Sequence, residues 1–167
     1  NVKTYGAKGD GITDDSTAIL SAMAAACSGG IGGILVMPSG TYAIASEMIP
    51  TFPITFFRWV GFGYVRLLWT GSTDATKAVF RVQASTTNPF AYNTIENIYF
   101  DAANKAGYAF VLGNGTPETG NASQNTFNNT YYNEGTVAGI LIGDNAEPAT
   151  TASACSLNVW NGGFVAD

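Results

Sequence analysis

The stretch Val2-Lys3-Thr4-Tyr5-Gly6-Ala7-Lys8-Gly9-Asp10-Gly11-Ile12-Thr13-Asp14-Asp15-Ser16-Thr17-Ala18-Ile19-Leu20-Ser21-Ala22 decides how the rest of the chain is read. It reads as a short strand, a glycine-rich turn and the start of a capped helix. Val2 and Tyr5 suit a strand, and Gly6, Gly9 and Gly11 put residues without a Cβ where the backbone turns through positive φ. Asp14 stands at the expected N-cap, and Asp15 adds negative charge at the positive end of the helix dipole. The run from Ser16 to Cys27 is alanine-rich and favours helix, with Ile19, Met23 and Ala26 on one face. Ser28-Gly29-Gly30 ends it.

Tyr5-Gly6-Ala7-Lys8-Gly9-Asp10-Gly11-Ile12-Thr13-Asp14-Asp15-Ser16, followed by Ala18-Ile19, resembles the N-terminal motif of pectate-lyase-like right-handed β-helix proteins. These include polysaccharide lyases, polygalacturonase-like hydrolases and bacteriophage tailspikes. The resemblance continues in Gly32-Gly33-Ile34-Leu35-Val36-Met37-Pro38-Ser39-Gly40-Thr41-Tyr42, similar to the glycine-rich strand and turn that follow the helix in that family. Thr4 replaces the acidic residue often found before the aromatic. The resemblance implies an all-β fold, a right-handed parallel β-helix with one N-terminal capping α-helix. In the family these motifs build the mouth of the solenoid and not its catalytic groove, so no catalytic residue is carried over.

The length of 167 residues fits one domain with a real core. Residues 1–50 read as the opening motif and cap, and 51–167 as the first coils, expected to continue beyond the last residue. Charged residues are only 11%, which suits a β-rich extracellular scaffold. A net charge of −5 with no basic cluster argues against nucleic acid or anionic membrane as partner. The apolar run from Ile54 to Trp69 carries Arg58 and Arg66 and is too short to span a bilayer. The absent initiator Met and the ending Gly-Gly-Phe-Val-Ala-Asp suggest a segment of a longer protein. Cys27 and Cys155 lie several coils apart, so both are expected to be free thiols.

Along the chain, Ile34 to Met37 and Tyr42 to Ile44 read as short strands around a Pro38-Ser39-Gly40 turn. Ile54 to Phe57 and Val65 to Trp69 follow, joined through a Gly61-Phe62-Gly63 turn. Thr70 to Lys77 reads as a loop before a strand at Ala78 to Val82. Trp59 and Trp69 have apolar neighbours and are expected in the core. The chain then repeats. Asn93-Thr94-Ile95-Glu96-Asn97-Ile98-Tyr99-Phe100 aligns with Asn125-Thr126-Phe127-Asn128-Asn129-Thr130-Tyr131-Tyr132, and a third copy starts at Asn158. Each of the first two copies leads to a second strand, at Tyr108 to Gly113 and at Gly139 to Gly143. Such a repeat describes one turn of a parallel β-helix. It stacks Ile95, Ile98 and Phe100 on Phe127, Thr130 and Tyr132 inside, and Asn97 on Asn129 in an amide ladder. That ladder reaches either Gly162 or Asn161 in the third copy. Tyr99, Tyr131 and Phe164 share a line on the outside.

Histidine is absent, which excludes Ser-His-Asp and Cys-His mechanisms and histidine metal sites within the chain. Glycan cleavage here would need a carboxylate pair, or carboxylate-bound Ca²⁺ with a basic residue. Asp10, Asp14 and Asp15 read as turn and cap residues, without the spacing of a calcium loop, so no metal or cofactor is expected of this segment, with Ca²⁺ left as the alternative for the protein as a whole. Glu96, Asp101 and Glu134 are the candidate catalytic carboxylates, against the simpler reading that they are ordinary solvated side chains. The line Tyr99, Tyr131, Phe164 is the candidate glycan contact, open equally to subunit packing or cover by a loop. Three Asn-x-Ser/Thr sites, at Asn114, Asn121 and Asn128, follow from the composition.

The functional expectation is a β-helical protein that binds or cleaves a polysaccharide, most similar to a phage tailspike depolymerase. Such a protein would be extracellular or part of a virion, homotrimeric, and an enzyme as a whole even if this segment lacks the catalytic groups. The alternative is a non-catalytic β-helical rod, a spike component or adhesin.

Overall fold

The computed structural model describes residues 1–29, 32–85, 87–114, 122–142 and 158–166. Its elements are a 3₁₀ turn Val2–Tyr5, β1 Asp10–Asp14, α1 Ser16–Cys27, β2 Ile34–Ile44, β3 Ile54–Thr55, β4 Arg58–Trp69 and β5 Asp74–Ala84. There follow β6 Phe90–Ala91, β7 Thr94–Glu96, β8 Tyr99–Asp101, β9 Ala106–Asn114, β10 Thr126–Asn133, β11 Ala138–Ile142 and β12 Val159–Ala166. The main sheet runs β1-β2-β4-β7-β10-β12, with β8 also bridging β4 and β10. A second sheet is β11-β9-β5 and a third pairs β3 with β6. Every pairing is parallel, and the partners are one coil apart in sequence. This is a right-handed parallel β-helix.

The repeat sets the register. Thr126 pairs Thr94, Phe127 pairs Ile95, Tyr131 pairs Tyr99 and Tyr132 pairs Phe100. The third copy follows, with Phe127 opposite Trp160 and Tyr131 opposite Phe164. Inside, aromatic rings meet coil on coil: Phe100 stacks on Tyr132 with centroids 5.5 Å apart, and Phe127 on Trp160 at 4.6 Å. Trp59 is fully buried, edge-on to Phe100 at 5.7 Å, and Trp69 lies in the same core. Such pairs contribute about 0.5–1.5 kcal/mol each beyond the area they bury.

The corners have their own chemistry. Phe56, Tyr92 and Gln124 all take positive φ, each just before a residue that turns inward. Behind them runs a buried amide column. The Asn93 amide N–H donates to Asn125 Oδ1 at 3.0 Å, and Asn125 Nδ2 donates to Asn158 Oδ1 at 2.9 Å. Asn93 Nδ2 reaches the carbonyl of Ile54, and Asn125 Nδ2 that of Phe90. Buried backbone groups at a bend lack ladder partners, and one asparagine per coil supplies them.

Several expected boundaries shift. Val2–Tyr5 is not a strand, because Asn1 Oδ1 accepts from the Lys3 amide and Gly6 at φ 98° closes a 3₁₀ turn. The helix cap lies one residue later than expected, at Asp15. The Asp15 carboxylate folds back instead, accepting from the amides of Lys8 and Gly9 at 2.6 and 2.9 Å. Asp14 still accepts from the Ser16 amide and hydroxyl, and from the Ala45 amide. The predicted turns at Pro38-Ser39-Gly40 and Gly61-Phe62-Gly63 are one bulge. Pro38 pairs Phe62 and Gly40 pairs Val65, so Gly63 and Tyr64 oppose Ser39 alone and both strands continue. Gly63 takes the positive φ of 78° that the bulge requires. Half of the expected loop from Thr70 to Lys77 is strand, since Asp74 already pairs Ala106. At the N-terminal end, Ile19 and Met23 of α1 are fully buried in the core. Cys27 is a buried free thiol, and Cys155 lies outside the described residues.

Candidate functional site

The outward row of the main sheet holds the candidate site. In parallel strands a residue faces the same side as its register partner, so Tyr99 on β8 and Tyr131 on β10 stack at 5.8 Å with an interplanar angle of 23°. Tyr64, carried on the β4 bulge, adds a third ring 6.2 Å from Tyr99 and tilted by 45°. Tyr99 and Tyr131 therefore face each other along the solenoid. Phe164 pairs with Tyr131 in register, but its side chain lies outside the described residues.

An amide column runs beside the rings. Asn97 and Asn129 sit at the bend between successive outward positions with φ of 55° and 49°. Asn tolerates this conformation better than most residues. Asn129 Nδ2 donates to Asn97 Oδ1 at 2.9 Å, and the Tyr131 hydroxyl donates to Asn129 Oδ1 at 2.8 Å. Gly162 continues the column, since Asn128 pairs Asn161 and Thr130 pairs Gly163. Asn161 instead donates to Asn128 Oδ1 at 3.0 Å, so both alternatives for the third copy are occupied, by two adjacent columns. Between rings and amides lies an open groove of about 330 Å³ lined by Tyr64, Tyr99, Tyr131, Asn97 and Asn129, with Gly63 at one end.

Two of the three candidate carboxylates are held in ion pairs with arginine. Glu96 is half-buried and bound to Arg58 at 2.8 Å, with Asn128 donating to its other oxygen at 3.4 Å. Asp101 is 1% exposed; Arg66 donates to it from Nε at 2.8 Å and Nη2 at 2.5 Å, and the Ala103 amide donates to its second oxygen. Burial opposes the Arg66 charge, but the hydrogen bond and charge of Asp101 outweigh it, so its pKa is raised. Glu134 follows Asn133, which pairs with Asp101. Asp101 and Glu134 thus meet around Tyr99. Burial pushes the Tyr99 phenol up, the charges of Asp101 and Glu134 add to this, and Arg66 opposes it.

The N-terminal motif is structural in its contacts. Asp10 accepts from the amides of Ile12 and Thr13 and from the Thr13 hydroxyl, and the backbone bonds lead in holding its carboxyl at about 2. Gly9 lies against the Tyr42 ring, Gly11 takes φ of 76° and Tyr5 is exposed. Among the described residues no group of three or more Cys, Asp or Glu converges on a metal-sized site.

Sequence reasoning missed Tyr64 and Arg66. Arg66 pairs Tyr99 in register, but β4 places Gly61 to Val65 where the next coil has only Asn97 and Ile98, and this insertion hid the first coil from the repeat. The roles of Asn97 and Asn129 were legible; their place beside the groove was not.

Comparison with known proteins agrees with this architecture. Residues 1–58 match the family model described as "Rhamnogalacturonase A/epimerase, pectate lyase-like". The virus protein "Geobacillus virus E2 - ORF18" superposes with TM-score 0.67 at 25% identity, over 86% of this chain and 30% of that one. The Azotobacter vinelandii mannuronan C-5 epimerase AlgE6 A-module superposes with TM-score 0.66 at 22% identity, over 80% of this chain and 37% of the module. In sequence, "Alginate lyase 7" of Azotobacter vinelandii is 53% identical over 45 residues, 27% of this chain and 5% of that protein. The fold is a right-handed parallel β-helix, and the pectate lyase-like match covers residues 1–58. It spans about a third of the solved relatives and about 5% of the curated ones.

Proposed function

We propose that the chain is the N-terminal part of a polysaccharide-acting β-helical protein, most similar to a phage tailspike depolymerase, with Tyr64, Tyr99 and Tyr131 contacting the glycan. The observation that carries this is the groove itself. Two successive coils each add a tyrosine and an asparagine to the same outward row, beside Tyr64 on the bulge, which suits a ligand that also repeats. The names of the similar proteins, a lyase and an epimerase of uronan chains and a virus protein, support polysaccharide as the substrate class. In this reading the full protein is extracellular or virion-borne and homotrimeric. An interface between copies would cover Phe56 and Tyr92, which stack at 4.9 Å while 63% and 48% exposed.

Glu96, Asp101 and Glu134 remain the candidate carboxylates, with Glu134 the one whose side chain is in none of the ion pairs of the described residues. The pairing of Glu96 and Asp101 with arginine favours catalytic groups elsewhere in the full protein, and it is also the observation that favours the second reading, a non-catalytic rod. Incubating the full-length protein with capsule, lipopolysaccharide, alginate and pectin separates the two. New reducing or unsaturated ends support the first; silence across the panel, with the protein folded, supports the rod.

A further inference from the structure

We propose that the Tyr64–Tyr99–Tyr131 groove selects an uncharged glycan segment and rejects a polyuronate. This rests on the reading of the groove as a glycan site and narrows its ligand.

The lining decides it. Among the described residues no charged side chain lines the groove. Each of the three arginines of the chain is held in an ion pair, Arg58 by Glu96, Arg66 by Asp101 and Arg81 by Glu47, at 2.8, 2.5 and 2.6 Å. Arg66 is the cation beside Tyr99, and Asp101, almost wholly buried, occupies it from two guanidinium nitrogens. A uronate carboxylate needs such a fork or an ammonium to replace its lost hydration. Here it would meet an arginine already bound, with Asp101 and Glu134 as like charges at the same tyrosine.

The hydrogen-bonding pattern points the same way. The Tyr131 hydroxyl donates to Asn129, Asn129 Nδ2 donates to Asn97, and Asn97 Nδ2 donates to the carbonyl of Gly61 at 3.4 Å. The two asparagines of the relay keep capacity of both kinds, a second amide hydrogen and further oxygen lone pairs. A sugar hydroxyl both donates and accepts and can use either. A carboxylate only accepts, and leaves the lone pairs of the relay without a partner. The aromatic lining of Tyr64, Tyr99 and Tyr131 gives apolar surface for the C–H groups of a pyranose.

The test uses one backbone in two charge states. The 167-residue chain is titrated by calorimetry with fully methyl-esterified polygalacturonan and with the unesterified polymer, with dextran as a second neutral probe. The expected result is binding to the esterified polymer at least about tenfold tighter than to the acid form, nearly independent of salt between about 0.05 and 0.5 M. Tyr99→Ala should weaken it by about tenfold, while Asn129→Lys should shift preference toward the acid polymer. Tighter binding of the acid form, weakening as salt rises, overturns the uncharged-ligand inference and leaves the glycan reading standing. Binding to none of the three by chain with an unchanged circular-dichroism spectrum overturns both. Binding unaffected by Tyr99→Ala moves the site away from this groove.

Discussion

Replacing Asn125 with leucine removes the middle rung of the buried amide column while keeping its branching at Cγ. The consequence follows from the contacts it loses. Asn125 is fully buried; its Oδ1 accepts from the Asn93 amide at 3.0 Å, and its Nδ2 donates to the Phe90 carbonyl at 3.1 Å. Leucine fills the space and keeps water out, so the Asn93 N–H and the Phe90 C=O are both left unpaired. Each buried orphan costs about 1–3 kcal/mol, for a total of about 2–6 kcal/mol. That is a large share of the roughly 5–15 kcal/mol that holds a domain together. The paired control is Asn129→Gly, which removes an exposed rung where the backbone sits at φ of 49° and where the third coil already has Gly162. Glycine relieves the left-handed strain, so a change within about 1 kcal/mol is expected. Urea unfolding followed by tryptophan fluorescence reads both, and the Asn125→Leu melting temperature should fall by roughly 5–20 °C. Equal effects of the two variants, or a loss below about 1 kcal/mol for Asn125→Leu, would refute the claim that the column satisfies buried backbone.

Three further outcomes follow from the same contacts. Asp101→Ala strands the Ala103 amide and half-buried Arg66, and should cost about 1–3 kcal/mol, with part recovered in the Arg66→Ala/Asp101→Ala double variant; a strictly additive double-mutant cycle contradicts the pairing. In acid, Asp10 is held at about 2, and Asp14 is lowered by hydrogen bonds from Ser16 and Ala45 that outweigh the opposing effect of burial. Carboxyls depressed by folding stabilise above their unfolded value of 3.8 and lose that contribution as pH falls through the folded one. The cap should therefore loosen between about pH 4 and pH 2, Asp10→Asn should flatten that slope, and a loss complete above pH 5 would contradict the assignment. Burial pushes the Cys27 thiol up to about 11, so in a Cys155→Ser background it should resist a thiol reagent at neutral pH until the chain unfolds; prompt labelling of the native protein would show that α1 does not shield it.

The parts legible from sequence were those in which one coil repeats the next. Asn93, Asn97, Tyr99 and Phe100 recur one coil on as Asn125, Asn129, Tyr131 and Tyr132, and the strand register reproduces that alignment pair by pair. What was missed lies where local chemistry has two structural outcomes. A glycine-rich Gly61-Phe62-Gly63 serves a turn or a bulge equally well, and only the partner strand, with Ser39 opposite two residues, settles on the bulge. Asp14 and Asp15 are both competent caps, and the choice depends on the distant amides of Lys8 and Gly9. The arginine partner of Asp101 was hidden for the same reason. Arg66 and Asp101 are thirty-five positions apart in the chain and become neighbours only once β4 lies against β8.

The account comes down to coils in register that bring tyrosines from separate turns to one binding face. Ring-labelled tyrosine spectra of the intact chain, with its eight tyrosines, titrated with methyl-esterified polygalacturonan, test this directly. The account predicts that Tyr64, Tyr99 and Tyr131 shift together while buried Tyr42, Tyr108 and Tyr132 stay still. Movement of Tyr92 beside Phe56, with Tyr99 unchanged, would contradict it.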